Sequence, residues 1–336
     1  MRKYLIFLTA IAIQIVAILG EVCDESNPIA KTKSGDVRGA VLKSRKGRPF
    51  AAFRGIPYAQ PPVGDLRFKP PKEIDKWKGV RNATEDGPIC IQQDFLFDRD
   101  PQIEGSEDCL YLNVYTPKGL CLHGKKSGRL LPVLFFIHYG GFLSGNSRSD
   151  IIGPDFLLDN DVVLVTFNYR LGIMGFFTTY DDESPGNWAF KDQVAALKWV
   201  QNNIHYFGGS NKRITIAGAS AGAGSVHHFL LSPAAKGLFQ SAITLSGSAL
   251  ALWAKPMSRE MFAVTNVTAL TVGCSFPDTK GMVECLRKIP ARDLVNAVNV
   301  FRQFIKSEPL TPYFPAIEEK SARNPEPNPS PRIFRR

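Results

Sequence analysis

The chain has 336 residues, 44% of them apolar and 21% charged, with 28 Gly and 24 Pro, which excludes a fibrous repeat or a wholly disordered polymer and allows a sizeable core. Lys and Arg outnumber Asp and Glu by 41 to 31, a formal charge of +10. No nucleic-acid fold motif accompanies the excess, so it reads as solvated surface and no nucleic-acid partner is expected.

Residues 1–20 carry Arg2 and Lys3 and then an apolar run from Leu5 to Leu19, the pattern of a cleavable secretory signal. The run is short for a membrane span and no second one follows, so stable membrane insertion is not expected. The expected mature chain is secreted, starts near Glu21 and, without Arg2 and Lys3, drops two units to about +8. Basic residues concentrate at Lys43–Arg48 and Arg332–Arg336. The segment before Leu131, with Pro57, Pro61, Pro62, Pro70 and Pro71, reads as meandering strands and turns. Six cysteines, Cys23, Cys90, Cys109, Cys121, Cys274 and Cys285, suit disulfides in a secreted chain better than metal binding. Their spacing admits short loops from Cys90 to Cys109 and from Cys274 to Cys285 but does not choose among the fifteen pairings. Asn82-Ala83-Thr84 and Asn266-Val267-Thr268 are glycosylation sequons in that setting, placing Asn82 and Asn266 on the surface.

From Leu131 to Gly247, β-rich runs alternate with helical stretches, as in parallel strands joined by crossover helices. Pro132–His138, Val162–Tyr169, Arg213–Ala217 and Ser241–Leu245 are nearly continuous apolar runs, expected of strands covered on both faces. Phe190, Val194, Leu197, Val200, Ile204 and Phe207 recur at helical spacing, which predicts a helix lying on the sheet and stopped by Gly208 and Gly209. After Gly247 the pattern is helical, most clearly over 291–305. Residues 319–336 are Pro-rich and basic, without apolar period, and read as a disordered tail.

Gly218-Ala219-Ser220-Ala221-Gly222 matches the GxSxG turn that displays a serine nucleophile between a strand and a helix, and a helix is predicted over Ala221–Leu231. The free N–H of Ala221 and the helix dipole favour developing negative charge beside Ser220. Further oxyanion donors are expected from Gly140 and Gly141 in the loop His138-Tyr139-Gly140-Gly141-Phe142, which follows a predicted strand.

These features, together with Phe207–Gly222 (FGGSNKRITIAGASAG), Glu107–Pro117 (EDCLYLNVYTP), Phe53–Phe68 (FRGIPYAQPPVGDLRF), Asn168–Gly172 (NYRLG) and Gly186–Gly209, make the chain resemble the carboxylesterase and cholinesterase family, the type-B carboxylesterases, from about Gly35 to Glu318. The resemblance implies an α/β-hydrolase fold with a mostly parallel central sheet flanked by helices, occupying residues 21–318. It implies disulfides Cys90–Cys109 and Cys274–Cys285, leaving Cys23 and Cys121 unassigned. It also implies hydrolysis of small carboxylic esters through an acyl-enzyme on Ser220, with no cofactor and no metal. Tyr139 stands where the family usually has Gly, and Ala219 where it usually has Glu or Gln. No tryptophan lies between Cys90 and Cys109, which speaks against a choline ester.

The family's triad places its acid and its His downstream of the serine. The histidines here are His123, His138, His205, His227 and His228, none at the family's catalytic position, and Glu318 is not the acid by position. The resemblance therefore implies a partial domain whose last strands and helices are missing, weakly active or inactive as written. The alternative is a secreted, non-catalytic binding or adhesion protein on the same fold. An unpaired sheet edge would also be an aggregation hazard.

Overall fold

A computed structural model describes residues 26–96, 98, 100–117, 130–256, 262–301 and 312–318. The expected leader, Cys23, Cys121, His123 and the 319–336 tail lie outside these residues.

The main sheet has seven strands: β1 (Ala40–Lys43), β2 (Pro49–Pro57), β3 (Tyr111–Pro117), β4 (Leu131–Ile137), β5 (Val163–Phe167), β6 (Gly209–Ala219) and β7 (Ser241–Leu245). They lie in the order β7-β6-β4-β5-β3-β2-β1. The β7-β6, β6-β4 and β4-β5 pairs are parallel, whereas β5-β3, β3-β2 and β2-β1 are antiparallel. The sheet is thus mixed. It is parallel where helical crossovers were expected and antiparallel where the Pro-rich segment supplies its strands. Among the described residues no helix is long and apolar enough to cross a membrane.

Three helices follow β5 in the parallel half: α1 (Gly172–Phe176), α2 (Trp188–Asn203) and α3 (Ala221–Leu231), the last with the bounds that the sequence predicts. The helical periodicity from Phe190 to Phe207 is realised as α2 and a 3-10 turn, and all six periodic apolar residues are buried. Gly208 ends this run at φ 76°, a left-handed cap that glycine adopts without steric cost. Gly209 is then needed for a second reason: a Cβ on it would lie 2.8 Å from Val133 Cγ2. The strand predicted from Arg213 accordingly starts earlier, at Gly209, against the edge of β4. After β7 come α4 (Phe262–Thr271), α5 (Thr279–Leu286) and α6 (Ala291–Ala297). The helix expected over 291–305 ends at Ala297 among the described residues, and 302–311 lie outside them.

The apolar β5 is buried at all five positions, as expected for a central strand. β7 is not: four of its five residues are exposed, with Ile243 and Leu245 open to solvent by 44% and 50%. The expectation that this strand is covered on both faces is therefore corrected. It is the outermost strand of the sheet among the described residues, paired only with β6.

Charged groups tie the layers together. Arg170, just past β5, forms a fork with Asp192 on α2, Nε at 2.7 Å and Nη2 at 2.6 Å, with both side chains buried. Arg170 Nη2 also donates to the Lys69 carbonyl at 2.9 Å. Arg67 forks onto Glu107 at 2.7 and 2.6 Å and donates to the Leu286 carbonyl at 3.0 Å, joining the N-terminal segment to the end of α5. Disulfides Cys90–Cys109 and Cys274–Cys285 are both formed, as the resemblance implied.

Removing one partner of a buried pair strands the other charge. Asp192→Ala should therefore cost about 3–5 kcal/mol, read as a fall in the urea midpoint of the folded chain, and a shift no larger than that of an exposed Asp→Ala control would contradict this reading.

Candidate active site

Ser220 sits between the last residue of β6 and the first of α3, at φ 52° and ψ −116°. A non-glycine residue at positive φ is strained and persists only where its surroundings over-determine it. Here they do. Its N–H donates to the Leu245 carbonyl of β7 at 2.8 Å, and its carbonyl accepts from Gly224 N at 2.9 Å. The flanking glycines are dictated by contact. A Cβ on Gly218 would lie 2.3 Å from the Gly222 carbonyl carbon, and one on Gly222 would lie 2.1 Å from the Ile137 carbonyl oxygen. Gly247 is a third such position, which the sequence did not flag: its Cβ would fall 2.2 Å from the Ser220 carbonyl oxygen.

The contact between Gly222 and Ile137 also sets the site's second part beside the first. β4 ends at Ile137, and the predicted glycine loop begins with the next residue. Gly140 has φ 118° and Gly141 φ 63°, conformations open to glycine. The N–H groups of Leu143 and Ser144 both donate to the Gly140 carbonyl at 2.9 Å, closing a tight loop. Among the described residues the amides of Gly140 and Gly141 have no hydrogen-bond acceptor. Ala221, at the first position of α3, has an amide without an intrahelical partner. All three expected donors are therefore backbone N–H groups not committed to secondary structure.

An apolar wall adjoins α3. Phe142 is buried with its ring 5.1 Å from that of Phe176 and 6.3 Å from that of Trp253. A Cβ on Gly224 would lie 3.5 Å from Trp253 Cζ3 and 3.6 Å from Phe142 Cζ. Trp253 was not singled out in the sequence, because no local pattern says which aromatic folds back onto α3.

The described histidines are engaged elsewhere. His228 Nε2 faces the Ala254 carbonyl at 2.8 Å, inside the core. His227 Nδ1 accepts from Ala249 N at 3.3 Å and lies 3.1 Å from Ser248 Oγ. His138 Nδ1 faces the Tyr139 carbonyl at 2.7 Å, and His205 stacks on Tyr206 with ring centres 3.9 Å apart. Among the described residues no histidine hydrogen-bonds Ser220 Oγ. Glu318 is buried, accepts from Asn187 Nδ2 at 2.8 Å and pairs with Lys191 at 3.0 Å. Asn82 and Asn266, the sequon residues, are exposed. No group of three or more His, Cys, Asp or Glu side chains able to hold a metal occurs among the described residues.

Comparison with known proteins gives a consistent result. The sequence model described as "Carboxylesterase family" matches residues 26–330. A juvenile hormone esterase of Tribolium castaneum is 51% identical over 304 residues, covering 90% of this chain and 50% of that protein. Esterase FE4 of Myzus persicae is 43% identical, covering 88% of this chain and 51% of its own length. The crystal structure of juvenile hormone esterase from Manduca sexta, with OTFP covalently attached, superposes with a TM-score of 0.80 at 36% identity, over 88% of this chain and 54% of that one. The chain thus spans about half the length of the curated relatives it matches.

Two outcomes follow from the site's packing. Gly222→Ala drives a Cβ into backbone and should cost about 3 kcal/mol or more, whereas Gly237→Ala, with open space around it, pays only its positive φ of 78°, about 1–2 kcal/mol. Comparable urea midpoints for the two variants would refute the contact argument. The second outcome concerns pH. Burial lowers His138 and His228 from 6.5 to about 4, opposed in part by their hydrogen bonds to the Tyr139 and Ala254 carbonyls. The unfolded chain takes up both protons near pH 6.5, and the folded chain resists until about 4, so this stability is complete above pH 6.5 and is lost as pH falls across that window. Each ring accounts for up to about 3 kcal/mol. Urea midpoints from pH 7 to 4.5 should fall, and less steeply in His228→Gln; equal slopes would remove His228 from the account.

Proposed function

This chain belongs to the carboxylesterase family, and on that premise we propose that it is a serine ester hydrolase with Ser220 as nucleophile and a small carboxylic ester as substrate. The observation that carries the reading is the strained serine at the head of α3, which packs at Gly222 against the end of β4, where the glycine loop with the uncommitted Gly140 and Gly141 amides begins. Ser220 Oγ attacks the ester carbonyl carbon, and the carbonyl oxygen becomes an oxyanion held by the N–H groups of Gly140, Gly141 and Ala221. Collapse expels the alcohol and leaves an acyl-serine, which water then cleaves to release the acid and restore the hydroxyl. His138, His205, His227 and His228 are committed to other partners, so with the described residues alone solvent water takes the serine proton and returns it to the leaving alkoxide oxygen, which departs as the alcohol. Among the described residues no imidazole serves as the base, and without one the expected acceleration is that of the oxyanion site and substrate binding, on the order of 10³–10⁴ over water.

The juvenile hormone esterases among the relatives make juvenile hormone an ester worth testing alongside simple aryl esters. The leader-like residues 1–20, the two disulfides and the exposed sequon asparagines support a secreted, glycosylated product.

The test uses the 336-residue chain with a fluorophosphonate probe and an aryl acetate. Slow labelling mapped by mass spectrometry to Ser220, lost in Ser220→Ala together with the residual turnover, is the expected outcome. A folded chain that neither labels at Ser220 nor turns over the ester would instead favour the non-catalytic binding protein.

A further inference from the structure

We propose that His138 is a positioning residue that aims the Gly140 N–H at the oxyanion, a role that rests on the serine hydrolase reading above. His138 Nδ1 lies 2.7 Å from the Tyr139 carbonyl oxygen. A carbonyl oxygen can only accept, so Nδ1 carries the proton and donates. The Tyr139 carbonyl and the Gly140 N–H belong to one planar trans peptide and point to opposite sides of it. Holding the oxygen therefore fixes the direction of the N–H.

The surroundings are built for this bond. The imidazole is 1% exposed and stacks on the Tyr169 ring, centres 4.2 Å apart and planes 16° apart. Tyr169 Oη donates to the His138 carbonyl at 3.1 Å, fixing the backbone from which the ring projects. Gly145 lies against the bond itself. At φ 103°, a Cβ on it would fall 2.5 Å from the Tyr139 oxygen and 2.7 Å from His138 Nδ1, so any side chain there would displace one partner. Gly145 is in turn clamped by Gln92, whose Oε1 accepts from Gly145 N at 2.7 Å and whose Nε2 donates to the Gly145 carbonyl at 3.1 Å and the Cys90 carbonyl at 2.9 Å. The Cys90–Cys109 disulfide thus supports the far end of the same chain of contacts.

His138 Nε2 is buried without a hydrogen-bond partner. A phenyl ring would fill the stack on Tyr169 without the unpartnered Nε2, but it would take the donor away from the Tyr139 carbonyl. What the imidazole adds over that ring is the Nδ1–H donor. Burial holds the ring's pKa down to about 4, so it stays a neutral single donor at neutral pH.

Two variants separate positioning from packing. His138→Phe keeps an aromatic stack and removes the donor, while His138→Asn places an amide N–H within reach of the same carbonyl. With the fluorophosphonate on the 336-residue chain, the maximal labelling rate of Ser220 in His138→Phe should fall on the order of 10²-fold, with half-saturation unchanged, because the oxyanion contact matures only in the transition state. His138→Asn should return to within about tenfold of the parent. A His138→Phe chain that melts like the parent and labels at its rate overturns the proposal, as does an Asn variant no faster than Phe. If the parent itself does not label, the serine reading falls on its own, and ¹⁵N NMR of His138 in the parent chain judges the geometry. A proton on Nδ1 with a bare Nε2 is then expected, and a proton on Nε2 would refute it. The same spectrum decides the matter should His138→Phe fail to fold.

Discussion

The carbonyl of Ile137, at the end of β4, leaves no room for a side chain on Gly222, and the centre of the molecule is arranged around that contact. Because α3 approaches β4 this closely, the chain must turn from β6 into α3 within one residue, and that residue, Ser220, is forced to φ 52°. The same approach sets the loop that leaves β4 beside the start of α3. One steric constraint therefore yields both the strained turn at Ser220 and neighbouring uncommitted amides. The strain at Ser220 is held by backbone hydrogen bonds to Leu245 and from Gly224, and by Gly247 closing over its carbonyl.

Polar ties from distant segments hold this centre in place. Arg170 links the exit of β5 to α2 and to the Lys69 carbonyl, and Arg67 links Glu107 to the end of α5. Such buried forks are costly to break from one side, which makes the layers interdependent and not merely stacked. The Cys90–Cys109 region contributes differently, through Gln92 and Gly145, to the packing of the Tyr139–Gly140 peptide in the glycine loop. A segment that in sequence looks like a disulfide loop is, in space, a support for the glycine loop.

Legibility differed by element for physical reasons. α2 was readable because its six apolar residues repeat at helical spacing and all are buried. α3 and the elbow were readable because strand, small residues and helix follow one another without interruption. The burial of β7 was misread, since SAITL has the composition of a core strand but is the outermost strand among the described residues. Composition reports what a strand is able to bury, whereas neighbours decide what it does bury. The parallel expectation held from Leu131 onward, and the segment before it, read as meandering strands, supplies the antiparallel half of the sheet, so the whole sheet is mixed.

By itself the sequence determined the order of the parts: the strands of the parallel half, the GxSxG turn and the glycine loop, all features whose signal is local or motif-borne, while the cysteine pairs came only with the family resemblance. The tertiary structure alone decided which atoms meet. It joined Asp192 to Arg170, folded Trp253 toward Phe142 and α3, and committed the described histidines to carbonyl, hydroxyl and ring partners away from Ser220. It also set His138 Nδ1 against the Tyr139 carbonyl, on the peptide that leads into Gly140. The reason is that such contacts join residues tens to hundreds of positions apart, or depend on a backbone direction, and neither periodicity nor composition encodes direction in space.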